Sequence, residues 1–147
     1  MKEFMQQALA QAKIALDLGE FPIGAVITYK GAVIAAAHNM VESQKNPTLH
    51  AEIVCINQAL DELGEKYLND CEMYVTLEPC IMCYKAISLT KLKRLYIGAM
   101  NTEDLYSVER LDPKSLDLNH IPEIVTEVMA DQAKKLFDVH LKRLRNV

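Results

Sequence analysis

The sequence predicts a three-layer α/β/α sandwich with a central five-stranded mixed sheet, folded as one domain over residues 1–147. Strand-like and helix-like runs alternate after an opening hairpin, which is typical of layered α/β folds. Both strands of that hairpin are apolar on both faces, as expected for a sheet covered by helices on each side. The chain has 147 residues and is 50% hydrophobic, which suits one domain with a substantial core.

The first quarter of the chain predicts a helix and a hairpin. Apolar and small residues recur from Phe4 to Leu16 at helical spacing, and Gly19 can end this helix. Strands are predicted over residues 23–29 and 32–39, because a glycine-containing turn at residues 30–31 separates them. We therefore expect the sheet to begin with two antiparallel strands.

A polar loop over residues 40–48 contains Asn46-Pro47 and leads to a second helix. Thr48 can cap that helix, which runs from His50 to about Leu63. This assignment places His50 in the first helical turn.

The remaining elements alternate as a layered fold requires. A strand over residues 71–77 leads to a helix that starts at Pro79. The following elements are a strand over residues 94–99, a long polar connection over 100–119, a fifth strand over 123–129 and a last helix over about 130–145.

Two short runs carry the chemistry. His50-Ala51-Glu52 supplies an imidazole and a carboxylate, and Pro79-Cys80-Ile81-Met82-Cys83 supplies two thiols. Together they match H-x-E followed by P-C-x-x-C, which is the signature of zinc nucleobase deaminases. Imidazole and thiolate suit Zn²⁺, and three protein ligands leave a fourth position for water. We therefore predict one zinc ion per chain, bound by His50, Cys80 and Cys83, with Glu52 as the catalytic proton carrier.

Two other interpretations of these residues remain open. A purely structural zinc site needs a fourth protein ligand, for which Cys55, Cys71 and His38 are nominally available. A thioredoxin-like redox pair would use the C-x-x-C run alone and would give Glu52 no role. The spacing favours the catalytic zinc site over both.

Longer stretches of the chain resemble the bacterial tRNA adenosine deaminase family, within the cytidine deaminase superfold. The stretches are Phe21-Pro22-Ile23-Gly24-Ala25-Val26, Ala37-His38-Asn39, Pro47-Thr48-Leu49-His50-Ala51-Glu52-Ile53, Tyr74-Val75-Thr76-Leu77-Glu78-Pro79-Cys80-Ile81-Met82-Cys83, Ile97-Gly98-Ala99 and residues 123–145. The resemblance implies that the substrate is the wobble adenosine of a tRNA anticodon loop, converted to inosine. It also implies that Asn39 hydrogen-bonds the purine, that Ile23 packs against the base, and that the protein is a homodimer.

The chain departs from that family near the site. Leu49 stands where a small residue usually precedes the histidine, Tyr84-Lys85 replaces small residues, and residues 100–104 replace a glycine-rich loop. Deamination of a free base or nucleoside, of the guanine or cytosine type, is therefore an alternative. A zinc-stabilised partner subunit without catalysis is another, although the presence of Glu52 argues against it.

Charge gives only local support for an RNA partner. The net charge is −4, which provides no global attraction to nucleic acid. The last helix nevertheless concentrates cations at Lys134, Lys135, Lys142, Arg143 and Arg145. No stretch approaches the roughly 20 apolar residues of a membrane span, so we expect a cytoplasmic protein without membrane contact.

Overall fold

The computed structural model describes residues 1–101 and 118–146. In chain order the elements are α1 (Lys2–Asp17), β1 (Gly24–Tyr29), β2 (Ala32–His38), α2 (Ala51–Leu63), β3 (Cys71–Leu77), α3 (Ile81–Leu89), β4 (Arg94–Ala99), β5 (Glu123–Val125) and α4 (Ala130–Arg145).

The five strands form one mixed sheet in the order β2-β1-β3-β4-β5. Strand β1 is antiparallel to both β2 and β3, whereas β3, β4 and β5 run parallel. The predicted hairpin and the predicted five-stranded mixed sheet are thus confirmed. In the described part of the chain no helix is long and apolar enough to cross a membrane.

Helices cover both faces of the sheet. Ala25 and Ile27 of β1 pack in one cluster with Cys55 of α2. Val26, which lies between them, packs in a second cluster with Met5 of α1. Successive strand residues point to opposite faces, so the α1 and α2 layers lie on opposite sides of the sheet. Helix α4 contacts α1, and α3 contacts α2, which completes the predicted three-layer sandwich.

Helix α1 approaches the sheet closely at Gly24. A Cβ added there would lie 2.5 Å from the Ala12 backbone nitrogen and would also press on the carbonyl oxygen of Ala8. The Gly24 N–H donates to Thr76 Oγ1 at 3.1 Å, which ties β1 to β3 at the same point. Gly24 therefore fixes where the chain enters the sheet, directly after residues 20–23.

The predicted cap of α2 is wrong. The Thr48 hydroxyl donates to Asn46 Oδ1 at 2.7 Å, and the Thr48 N–H donates to the same oxygen at 3.0 Å. These bonds hold Thr48 in the loop, because asparagine side chains readily close such local turns. The cap residue is His50, with extended backbone angles (φ −66°, ψ 153°), so His50 precedes the first helical turn.

One strand prediction also needs correction. Strand β5 ends at Val125 and not at residue 129, because Glu127 and Met129 adopt left-handed backbone angles (φ 60° and 58°) that an extended strand cannot include. Strand β2 lies at the edge of the sheet but is covered on both faces as predicted, because Ala35 packs in the cluster that includes Cys55 of α2 and Ala36 packs against the cluster that includes Met5 of α1. Most of the predicted polar connection over residues 100–119 lies outside the described residues.

Candidate active site

Two helix starts meet at the candidate site. His50 is the cap residue of α2, and Cys80, which follows β3, is the cap residue of α3. Serine, threonine, aspartate and asparagine are preferred at such positions, because their side chains accept a bond from the helix amides. Neither His50 nor Cys80 makes that bond. Their side chains are therefore available to bind something beyond the helix ends, where the helix dipoles are positive.

The three predicted ligand atoms lie at zinc-binding distances from one another. His50 Nδ1 is 3.5 Å from Cys80 Sγ and 3.6 Å from Cys83 Sγ. Tetrahedral coordination with ordinary Zn–N and Zn–S bond lengths puts a nitrogen and a sulfur about 3.6 Å apart. Among the described residues these three are the group whose ligand atoms all lie within 4.8 Å of one another. The donor set and its spacing thus fit zinc, with Nδ1 as the histidine ligand.

One of the two thiols is polarised toward metal binding. A hydrogen bond shared with Cys83 lowers the pKa of Cys80 to about 4, although burial opposes this shift. The same bond, together with burial, raises the pKa of Cys83. A hydrogen bond with Cys80 raises the pKa of His50. Thiolate is the form that binds metal, and the site favours it at Cys80.

Glu52 lies in the first turn of α2, next to the ligand atoms. Its side chain is only 3% exposed, and burial raises the pKa of its carboxyl to about 7. Among the described residues, Glu52 Oε1 has no hydrogen-bond partner. A buried polar atom without a partner is costly, so its presence here suggests a functional role. A carboxyl held in this way can accept a proton and return it.

A cavity of about 130 Å³ opens beside His50. Ile23 and Asn39, the two predicted substrate-binding residues, both line it, and the Asn39 N–H donates to the Ile23 carbonyl at 3.1 Å. Pockets for drug-sized ligands measure about 300–1,000 Å³, so this cavity suits a single ring system. His50 belongs both to the ligand triangle and to the cavity lining, so the structure places the triangle next to both base-contact candidates.

Sequence reasoning missed part of the cavity lining. Phe21, Val41, Glu42 and Pro47 also line it. Phe21 belongs to a stretch that carried the family resemblance, which could have indicated it. No pattern in the sequence indicates Val41 or Glu42, because the cavity forms only when the loop over residues 40–49 folds back against residues 21–23.

The residues proposed as a fourth zinc ligand lie elsewhere. The Cys55 thiol is buried and donates to the Ala25 carbonyl at 3.6 Å. Cys71 is buried at the start of β3, and burial raises its pKa to about 11. His38 Nδ1 is 2.9 Å from the Asn39 carbonyl. Within residues 1–101 and 118–146, none of them joins the ligand group, which disfavours a closed structural site.

Tyr84 and Lys85, which stand where the family has small residues, do not disturb the ligand group. Tyr84 is buried, and its hydroxyl donates to Glu78 Oε2 at 3.4 Å, whereas Lys85 is exposed. The departures at residues 102–104 lie outside the described residues.

Comparison with known proteins gives consistent matches. A family model described as the cytidine and deoxycytidylate deaminase zinc-binding region matches residues 1–99. A tRNA-specific adenosine deaminase of Rickettsia typhi is 39% identical over 145 residues, which cover 97% of this chain and 98% of the relative. A structure from a study of A-to-I editing by tRNA:A34 deaminases superposes with a TM-score of 0.81 and 33% identity, covering 92% and 99% of the two chains. A guanine deaminase structure from Bacillus subtilis gives a TM-score of 0.67 and 37% identity, covering 69% and 66%.

Proposed function

Because this chain belongs to the tRNA-specific adenosine deaminase family, we propose that it converts the wobble adenosine of a tRNA anticodon loop to inosine by zinc-dependent hydrolysis. The observation that carries the proposal is the buried Glu52 carboxyl, which lies beside a three-ligand zinc geometry. A non-catalytic subunit would have no use for a buried, unpaired carboxyl oxygen at this point.

His50 Nδ1, Cys80 Sγ and Cys83 Sγ would hold the metal. Zinc bound there would supply a water whose pKa is lowered toward about 7. The two thiolates would neutralise the formal charge of the metal, so removal of the proton from that water would depend strongly on Glu52. The Glu52 carboxylate accepts a proton from the attacking water and passes it to a ring nitrogen of the base. It then assists departure of the amino group as ammonia, so one carboxyl serves every proton transfer.

The base would enter the cavity beside His50. We assign the Asn39 side-chain amide to hydrogen bonding with the purine and Ile23 to packing against its face. Both residues are buried, at 4% and 7% exposure, so a bound base would be shielded from water. Anticodon loops present bases that are already unstacked, which lowers the cost of moving one into a closed cavity.

We further propose one zinc ion per chain, a homodimeric assembly and a cytoplasmic location where tRNA is available. The dimer proposal draws on the exposed apolar side chains of Ile81 and Leu89 on α3, the helix that carries Cys83. Light scattering would measure the assembly, and a monomer at micromolar concentration would contradict the dimer.

The match to a guanine deaminase supports a second candidate, deamination of free guanine. An assay of ammonia release and inosine formation separates the two, with an anticodon stem-loop, free adenosine and guanine as substrates. The matched control is a stem-loop with its adenosine moved out of the wobble position. We expect inosine only at the wobble position. Turnover of guanine without inosine in the stem-loop would overturn the tRNA assignment and leave the zinc mechanism in place.

A further inference from the structure

Glu20 is a fully buried carboxylate that the mechanism does not use. It follows Gly19 at the end of α1, and its side chain is 0% exposed. Its Oε1 accepts the Glu42 N–H at 2.8 Å, and its Oε2 accepts the Ser43 N–H at 2.8 Å. Within the described residues no cation pairs with Glu20, so the hydrogen bonds from these two amides are what offsets the free-energy cost of burying its carboxylate. Hydrogen bonds to a charged group are roughly twice as strong as neutral ones, so this attachment is firm.

The two amides belong to the loop that forms one wall of the cavity. Val41, Glu42 and Pro47 of this loop line the cavity. The loop is closed on itself, because the Asn46 N–H donates to the Val41 carbonyl at 3.0 Å and the Met40 N–H donates to the Leu49 carbonyl at 3.0 Å. Because these bonds fix the loop's own shape, holding two of its amides sets the position of the wall.

The facing wall comes from residues adjacent to Glu20 in the chain. Phe21 and Ile23 line the cavity, and the Ile23 carbonyl accepts the Asn39 N–H. The Phe21 ring packs against His140 of α4 with ring centroids 4.7 Å apart. One short segment, residues 20–23, therefore supplies one wall and holds the other through Glu20.

We propose that Glu20 is a positioning residue that sets the width of the base cavity by holding the Glu42 and Ser43 amides, and thereby determines which base fits. The inference rests on the proposed function, because the base selected is the one to be deaminated. Glutamine is nearly the same size as glutamate but offers one acceptor oxygen, so its amino group would face an N–H donor. Glu20→Gln should therefore release one side of the loop without leaving a hole.

The test combines backbone exchange with base selectivity. Hydrogen exchange at the Glu42 and Ser43 amides should be at least about tenfold faster in Glu20→Gln than in the native protein. With stem-loops carrying adenosine or 2,6-diaminopurine riboside at the wobble position, kcat/KM for adenosine should fall about 10- to 100-fold. The preference for adenosine over the larger base should fall about tenfold, because the cavity is no longer held at one width.

The control is Glu62→Gln, which removes the same charge from an exposed position on α2. It should leave exchange, kinetics and selectivity unchanged, and zinc content should be the same in all three proteins. If Glu20→Gln does not fold, Glu20→Asp replaces it, because aspartate keeps both oxygens on a shorter side chain and should shift each measurement in the same direction.

Unchanged exchange at residues 42–43 would overturn the proposal. An equal loss of kcat/KM for both bases would also overturn it, since that is the result of general destabilisation. If the native protein deaminates free guanine and not the stem-loop, the proposed function fails separately. The positioning role is then tested by the same exchange measurement and by kcat/KM for guanine.

Discussion

Replacement of Glu52 by glutamine tests the central step of the mechanism. Glutamine preserves the size of the side chain but cannot accept and return a proton. General acid–base catalysis by one group contributes about 10²- to 10⁴-fold. In the proposed mechanism Glu52 acts at both attack and departure, and at 3% exposure bulk water has little access to replace it. We therefore expect a loss in kcat of about 10⁴-fold, which corresponds to about 5.4 kcal/mol at 1.36 kcal/mol per tenfold.

The assay pairs deamination rate with metal content. Inosine formation in the stem-loop measures the rate, and elemental analysis measures zinc per chain, which should remain near one because Glu52 is not a ligand. Glu62→Gln, which removes an exposed charge from the same helix, serves as the matched control. Loss of zinc from Glu52→Gln would show that the carboxyl is a ligand, and retention of more than about a tenth of the native rate would show that it is not the proton carrier.

Three further outcomes are expected. Cys83→Ser should lose zinc and activity together, because an alcohol is a poor replacement for thiolate as a zinc ligand. Elemental analysis measures the zinc and stem-loop turnover measures the activity. Full retention of zinc would contradict the ligand assignment. Gly24→Ala should lower the free energy of unfolding by about 3 kcal/mol, because the new Cβ would lie 2.5 Å from the backbone nitrogen of Ala12 and backbone atoms cannot easily move away. Urea denaturation measures this change. An unchanged denaturation midpoint would refute the close approach of α1 to the sheet. Replacing Lys142 and Arg145 together by glutamine should make stem-loop binding less sensitive to salt. The slope of log affinity against log salt concentration should become shallower by about 0.7 for each phosphate that the protein no longer neutralises. An unchanged slope would show that α4 is not part of the RNA-binding surface.

The cysteine pair of the ligand set could be predicted from sequence because its spacing is local, whereas His50 lies 30 residues before Cys80 and was indicated only by its own run with Glu52. Two cysteines three residues apart at a helix start must lie near each other, whatever the rest of the chain does. The layered sheet was predictable for a similar reason, since hydrophobic periodicity reports each element separately. What periodicity cannot report is where a strand stops. Glu127 and Met129 adopt left-handed angles that neither residue type indicates, so β5 is shorter than predicted.

The error at Thr48 has a physical cause that concerns the site itself. Residue preference makes Thr48 the better cap, yet the structure puts His50 there and Cys80 in the equivalent place on α3. Neither provides a side-chain cap, so each helix forgoes roughly 0.5–2 kcal/mol of stabilisation. In return, both side chains point past a helix end toward a common centre. We attribute the failure of local preference at these two positions to their proposed role as metal ligands, since such failures are expected at functional sites.

Glu20 is a residue for which the sequence offers no prediction at all. A glutamate after a helix-ending glycine is normally solvated, and nothing around it in the sequence indicates burial. Its partners are backbone amides 22 and 23 residues later, and backbone amides carry no residue-type signal at all. Side chains that hold a site through the backbone of another segment are therefore invisible in sequence patterns. Only the folded chain shows that Glu20 holds two backbone amides of the loop that lines the cavity, although Glu20 itself lies outside that lining.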